Sequence, residues 1–437
     1  MSTLSALDAV PEVNRRSLGF AYLCLVMFML VYCARPEDWV PHISVIPLAK
    51  ITGTLMILAF LFSLDQLRGH IPRELLYLGL LTVQLFLSVP FSPVWRGGAF
   101  WASLEFVKVV FVIFIMVWVL NTLPRLRRII FLQTACVVIV SAITIWKGHT
   151  KGGRLEGVLS GNYSNANDLA TQMVICVPFC IAFLLRARNP FAKLAWSSAI
   201  LLLSYTVILT GSRAGFFAGA LAMAVCIWEF GVRGRYRFLL IFGVLGLFLL
   251  AVFGGQTLQR TRALSNEQED ATAYASAQAR KELLWKSLEV TARYPLFGIG
   301  TGNFPVISGD WHVAHNSYMQ ASSEAGLPAL FLYLLILWQA LSNLRKVKRY
   351  RTIGSEPMLW AKALHASFLA FLFASFFASV AFEYFPYILV AYTSALLLIA
   401  RQERAVLISA SAAIDNSTPD EETHEQGSGS EPAWSSS

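Results

Sequence analysis

Apolar runs close to the ~20 residues that a helix needs to cross hydrocarbon recur along the chain, separated by short polar gaps. About twelve can be read: 17–33, 41–64, 75–89, 100–120, 129–146, 169–185, 194–210, 216–230, 238–253, 316–341, 359–382 and 386–399. Lys50 and Gly53 blur the start of the second. Alternating segments of about ten residues, which a membrane barrel requires, are not seen, so the spans are helical. The pattern predicts an all-α integral membrane protein.

The gaps set the orientation. Arg15-Arg16, Arg68/Arg73, Arg125/Arg127/Arg128, Arg186/Arg188/Lys193, Arg233/Arg235/Arg237, Arg345/Lys346/Lys348/Arg349/Arg351 and Arg401/Arg404 fall in alternate gaps. The basic side is cytoplasmic, which puts both termini inside. Arg15-Arg16 ahead of an apolar run resembles a signal peptide. The run lacks a clear small-residue cleavage site and many spans follow, so a retained first helix is expected. The gaps at 35–40, 90–98, 147–167, 211–213 and 254–314 then face outward.

The last of these is the longest polar interval. Its middle, 271–293, is rich in Ala, Lys, Glu and Leu and free of Gly and Pro, which predicts a helix. Leu284, Trp285 and Leu288 share one face of it, suited to the membrane surface or to capping the bundle. Pro295 ends it, and Gly298, Gly300 and Gly302 predict a tightly turning return. Residues 1–404 thus form one polytopic unit that includes the large outer loop, 254–314. The Ser-, Glu- and Asp-rich stretch 405–437 is expected to be a disordered, acidic, cytoplasmic tail.

Composition agrees with a membrane protein: 56% of residues are hydrophobic, 14% are charged and the mean hydropathy is +0.58. A net charge of +9 would suit a nucleic-acid partner, but the cations lie between apolar runs, so none is expected. The six cysteines all fall inside apolar runs without metal or redox spacing, and packing accounts for them.

Candidate chemistry gathers around 296–329, where His312, His315, Asp310, Asn316 and Glu324 surround the start of a span. At a helix N-terminus the dipole disfavours imidazolium, so His315 is a neutral proton acceptor or, more blandly, a cap. His312 reads as a loop residue. Glu324 is an intramembrane carboxylate and a functional candidate on that ground. Arg213, in T-G-S-R-A-G, is either a snorkelling anchor or a functional cation. Arg280, with Lys281, Lys286 and Arg293, reads alone as a solvated face balanced by Glu282 and Glu289. With Arg213 and Arg154 it makes the outer side locally basic, as an anionic substrate would require. Asn162, Asn165, Asn167 and Asp168 precede a span, and suit either helix capping or sugar and phosphate contacts. No metal-ligand spacing is present, and neither metal nor cofactor is expected.

The blocks R-L-E-G-V-L-S-G-N-Y-S-N-A-N-D-L-A, T-G-S-R-A-G, R-K-E-L-L-W and P-L-F-G-I-G-T-G-N-F…H-N-S-Y-M-Q-A-S-S-E-A-G-L-P-A occur in that order. Over 147–399 the chain resembles the superfamily of O-antigen ligases and O-antigen polymerases, bacterial membrane glycosyltransferases. R-P-E-D-W at 35–39 is similar to a subgroup of O-glycosylation ligases. The resemblance implies a GT-C-like architecture in the bacterial inner membrane, with the active site facing the periplasm. It implies metal-independent transfer of a glycan from a polyprenyl pyrophosphate carrier to an acceptor hydroxyl, on lipid A–core or on a protein. Motif by motif, Arg213, Arg280 and His315 become the catalytic set. Arg154, Asn165, Asn167, Asn316 and Glu324, read from the residues themselves and not carried over, are the expected substrate contacts.

The residues agree with that chemistry. Guanidinium forks match phosphate oxygens and keep their charge. With no acidic pair for a metal, cations must stabilise the leaving pyrophosphate. A neutral histidine then takes the acceptor proton, and attack opposite the pyrophosphate inverts the anomeric carbon. A polymerase using a second lipid-linked glycan as acceptor is the alternative within the superfamily. A transporter of lipid-linked glycan is the alternative outside it, though it would favour charges within the spans. The alternating basic gaps predict that a reporter fused after Arg235 reads cytoplasmic and one fused near Glu269 reads periplasmic. The opposite reading at either point would separate His315 from the arginines.

Overall fold

A computed structural model of the protein describes residues 18–40, 43, 46–64, 71–148, 150–151, 154–157, 163, 165–231, 271–309, 312–350 and 354–415. They form an all-helical bundle: α1 (Gly19–Ala34), α2 (Leu48–Leu61), α3 (Arg73–Ser88), α4 (Arg96–Val119) and α5 (Leu123–Lys147). A two-stranded ribbon, Thr150–Lys151 against Arg154–Leu155, leads to α6 (Ala166–Arg186), α7 (Pro190–Leu209) and α8 (Arg213–Phe230). Then come α9 (Ala271–Arg293), α10 (Ser317–Arg349), α11 (Ser355–Ala374) and α12 (Tyr384–Asp415). Single helical turns at Pro36–Trp39 and Phe304–Ser308 complete the described chain.

Nine helices among the described residues are long and apolar enough to cross a membrane. Where two further spans were expected, α2 and α3 have 14 and 16 residues. The span expected at 238–253 and the first part of the outer loop lie outside the described residues.

Lipid replaces water around the bundle, so apolar side chains occupy both faces of the outer helices. On α1, Phe20, Leu23, Met27 and Leu30 point outward at helical spacing, while Ala21, Cys24, Leu25 and Phe28 are buried. On α3 the outward set is Leu76, Leu80, Val83 and Leu87. The central helices α6 and α12 are buried on nearly all sides. Their small residues, such as Ala166, Ala170, Ala391 and Ala395, let neighbours approach closely.

Three element boundaries differ from expectation. The span expected at 359–382 stops at Ala374, because 375–383 folds back over the start of α10 and its backbone groups bond there. Ser317 N donates to Ser375 O at 2.9 Å, and Ser317 Oγ donates to Ala378 O at 2.6 Å. Ala381 N donates to Gln320 Oε1 at 3.1 Å. At the other end of the bundle, α10 runs on to Arg349. The helix α12 continues through Asp415, into the stretch expected to be disordered, because 405–415 is rich in Ala and lacks Gly and Pro. Residues 416–437 lie outside the described set.

The expected helix at 271–293 is present as α9, and the expected return follows it. The return runs beside a break in α10, where Gly326 has φ 85 and ψ 173 and Pro328 follows. Ile299 N donates to Ser323 O at 3.0 Å, Gly300 N to Glu324 O at 2.8 Å and Leu327 N to Pro295 O at 2.7 Å. From α3, Gln84 Nε2 donates to Leu296 O at 2.8 Å and to Ala325 O at 2.9 Å. A Cβ at Gly326 would stand 2.3 Å from Leu296 O, and that φ/ψ region is essentially restricted to glycine. Gly326→Ala is therefore expected to destabilise the fold by roughly 1–3 kcal/mol or more, read as a lowered melting midpoint of the purified protein. An unchanged midpoint would mean that the break is not rigid.

Candidate active site

Arg213 is the first residue of α8. The turn before it is held by Ser212, whose Oγ accepts from Gly215 N at 3.2 Å and donates to Asn167 Oδ1 at 2.9 Å. Arg154 meets the same amide: its guanidinium donates to Asn167 Oδ1 at 3.0 Å and to Thr210 O at 2.9 Å. Arg154 and Asn167 thus join the ribbon, α6 and the α7–α8 turn, and they orient the backbone that carries Arg213. Asn165 caps α6, its Oδ1 accepting from Asn167 N and Asp168 N at 3.0 Å each, while its amide donates to Asp168.

Arg280 lies on α9, in a stripe that continues through Leu283, Ser287 and Val290. Those three are buried, the two apolar ones packing with Ile299, Phe304 and Ala314. Thr291 Oγ1 meets Ser322 Oγ of α10 at 2.9 Å, which fixes α9 against the start of α10. The apolar face of α9 expected at Leu284, Trp285 and Leu288 is exposed.

His315 sits two residues before α10 with φ 50, a left-handed conformation uncommon for a residue with a Cβ. Asn316 caps the helix, its Oδ1 accepting from Tyr318 N at 3.0 Å and Met319 N at 3.1 Å. The left-handed turn lets the chain enter the capped helix.

These elements enclose a cavity of about 450 Å³. Arg213, Arg280 and Lys281 supply its cations, His315 and Asn316 line it, and Phe217, Leu284, Phe376 and Phe377 form an apolar wall. Three residues widely separated in sequence, Arg213, Arg280 and His315, share one chamber. Lys281 was read only as one of the cations around Arg280, and the phenylalanines were not singled out in the sequence. A Phe-rich run at the end of an apolar segment was the only signal for the wall.

Other expected residues stand elsewhere. Arg154, Asn165 and Asn167 buttress the chamber without lining it. Glu324, expected among the substrate contacts, is 2% exposed and turned toward the glycine-rich return, where its Oε2 accepts from Gly302 N at 2.8 Å. A buried carboxylate is satisfied there by an otherwise unpaired N–H. His312 is exposed nearby, and Asp310 and Asn162 lie outside the described residues. Asp168, read in sequence only as a capping or contact residue, lies within electrostatic reach of Arg280.

Electrostatics tune the chamber. Burial, and then Arg213, push the Arg280 guanidinium below its ordinary pKa, while Asp168 opposes them. Burial, Arg280 and His312 together lower His315 to about 4. Burial, and then the Arg280 charge, thus favour the neutral imidazole.

The fold and chamber define a polytopic helical membrane protein with a cationic, half-apolar site at one end of its helices. Residues 198–334 match the O-antigen ligase family, a segment that takes in Arg213, Arg280 and His315. The match supports the resemblance to the O-antigen ligase superfamily that the motifs carry. No curated protein matches the chain.

The lowering of His315 can be tested directly. Histidine-selective NMR titration should place its midpoint near 4, so that the ring is neutral and able to accept a proton at any higher pH. In Arg280→Ala the midpoint should rise toward the free value of about 6.5. A wild-type midpoint at or above the free value would contradict this electrostatic account.

Proposed function

We propose that the protein transfers a glycan from a polyprenyl pyrophosphate carrier to an acceptor hydroxyl, on lipid A–core or a protein, at the periplasmic face of the bacterial inner membrane. The observation that carries this reading is the shared lining of one chamber by Arg213, Arg280 and His315. The family match over the same segment supports it.

In this reading, Arg213 and Arg280 hold the pyrophosphate. Two like charges brought together without a ligand repel each other, and a dianionic group between them relieves that repulsion. The apolar wall of Phe217, Phe376 and Phe377 suits the first prenyl units of the carrier. The acceptor oxygen attacks the anomeric carbon as its bond to the phosphate oxygen breaks, with inversion. His315 takes the acceptor proton, and the departing pyrophosphate keeps the bonding pair, stabilised by the guanidinium groups. A base with a pKa near 4 is weak in the empty site. Pyrophosphate beside Arg280 offsets the cationic field that depresses it, so donor binding raises the basicity of His315 when the base is needed.

This division of labour separates binding from chemistry. Arg280→Lys should be impaired in transfer although charge is kept, because the bidentate fork is lost. His315→Ala should bind the lipid-linked donor normally yet lose about 10²–10⁴-fold in transfer rate. Donor binding and glycan transfer are to be measured side by side on purified protein. Equal loss of donor affinity in His315→Ala and Arg213→Ala would make His315 a phosphate ligand or a cap. Transfer at the wild-type rate would remove it from the mechanism.

A further inference from the structure

The chamber holds one more cation than the donor proposed for it holds negative charges. Arg213, Arg280 and Lys281 line it, and among the described residues no carboxylate does. The two arginines have a role in the mechanism above, whereas Lys281 has none.

Helix geometry aims Lys281 at the chamber. Around the axis of α9, Leu284 falls between Arg280 and Lys281, and all three line the cavity. Lys286 and Arg293 of the same helix fall on roughly the opposite side and are not part of the lining. The buried stripe of Leu283, Ser287 and Val290 fixes the rotation of α9, so the backbone at Lys281 cannot turn away without unpacking that stripe. Arg280 is partly buried and Lys281 is exposed, which puts the lysine at the margin of the chamber. A cavity of about 450 Å³ cannot enclose a glycan chain, so the glycan extends past that margin. The phosphate bonded to the sugar then lies nearest the margin, and the phosphate bonded to the prenyl chain lies toward Phe217, Phe376 and Phe377.

The charge on the pyrophosphate changes during transfer. Esterified at both ends, the donor carries two negative charges, one on each phosphate. As the acceptor oxygen bonds to the anomeric carbon, the bond from that carbon to the phosphate oxygen breaks and its electron pair stays on the phosphate. The acceptor proton passes to His315. The pyrophosphate leaves with a free terminal phosphate and a third negative charge, mostly kept at neutral pH because the second ionisation of a phosphate monoester lies at about 6. Two guanidinium groups match the donor, and three cations match the product. Asp168 opposes part of the Arg280 charge from outside the lining, so the arginines alone fall short of the third charge. A cation that meets charge only as it develops speeds the reaction without tightening donor binding. An ammonium group on a flexible stem suits a single phosphate oxygen, where a guanidinium fork would suit two.

We propose that Lys281 is a further catalytic residue, which stabilises the third negative charge on the departing terminal phosphate. This role rests on the function proposed above and adds to it a division among the cations: Arg213 and Arg280 bind the donor, and Lys281 acts on the leaving group.

The test uses full-length protein in lipid nanodiscs and two lipids. Undecaprenyl pyrophosphate carries the product's three charges, and its terminal methyl ester carries the donor's two. Lys281→Gln should weaken binding of the free pyrophosphate about tenfold and leave binding of the methyl ester unchanged, which also shows that the variant is folded. Lys281→Arg should restore most of the lost affinity, and Lys286→Gln, on the far side of α9, should match wild type. In single-turnover glycan transfer, Lys281→Gln should lose about tenfold in rate with donor affinity kept. Equal weakening of both lipids would make Lys281 an ordinary donor-binding cation. No change in either lipid, or transfer at the wild-type rate, would make it a solvated surface charge. Each of these results overturns the proposal. Arg213→Ala reads the underlying function separately. If wild type binds neither lipid, or Arg213→Ala binds both as well as wild type does, the proposed function fails and the role of Lys281 falls with it. If Arg213→Ala loses both lipids while Lys281→Gln loses neither, only the role of Lys281 fails.

Discussion

Backbone polar groups in a lipid-surrounded bundle have to find partners inside the protein, and one contact meets that demand for the whole site. It is the run of hydrogen bonds between the return after α9 and the broken turn of α10. The break at Gly326 frees carbonyl groups that an intact helix would use. Residues 295–300 and the Gln84 amide then pair across it. The match is so close that a Cβ at Gly298 would stand 2.4 Å from Glu324 C. Neither partner is stable without the other: an isolated irregular return exposes its amides, and an isolated broken helix exposes its carbonyls.

From that contact the geometry of the chamber follows. The start of α10 is anchored on one side by α9 through Thr291 and Ser322, and on the other by the turn after α11 through Ser317. His315 is thereby held between two anchored elements in a left-handed conformation that a free chain would rarely adopt. Asn303 of the return donates to Ser92 Oγ, Trp95 O and Ile299 O, which extends the anchorage to the turn between α3 and α4. Glu324 belongs to this framework. Its carboxylate holds Gly302, and its role is to keep the return in place.

Electrostatically the site is a controlled conflict. Two guanidinium groups and a lysine line one chamber; burial, and then Arg213, lower Arg280, and burial, Arg280 and His312 lower His315, below their ordinary pKa values. Folding tolerates this because α9 is held by its apolar stripe and because Asp168 partly offsets the charge. In the proposed reading, an anion bound between the two guanidinium groups would relieve that repulsion.

The membrane class, most spans, the loop helix over 271–293 and the candidate trio were legible in the sequence. Hydropathy period, alternating basic gaps and glycine punctuation are local properties, set by how each segment meets lipid or water. Residue roles that depend on a distant partner were not legible. Nothing local says that Asn167 bridges Arg154 and Ser212, that Glu324 turns toward Gly302, or that Ser375 stops an apolar run to cap another helix. Nor does it say that Arg35 and Glu383 line one cavity from nearly opposite ends of the chain. Composition and periodicity determine which surface of a helix avoids water. Only packing decides which polar groups then face each other, because hydrogen bonds and charge interactions act over a few ångströms and their partners come from different helices.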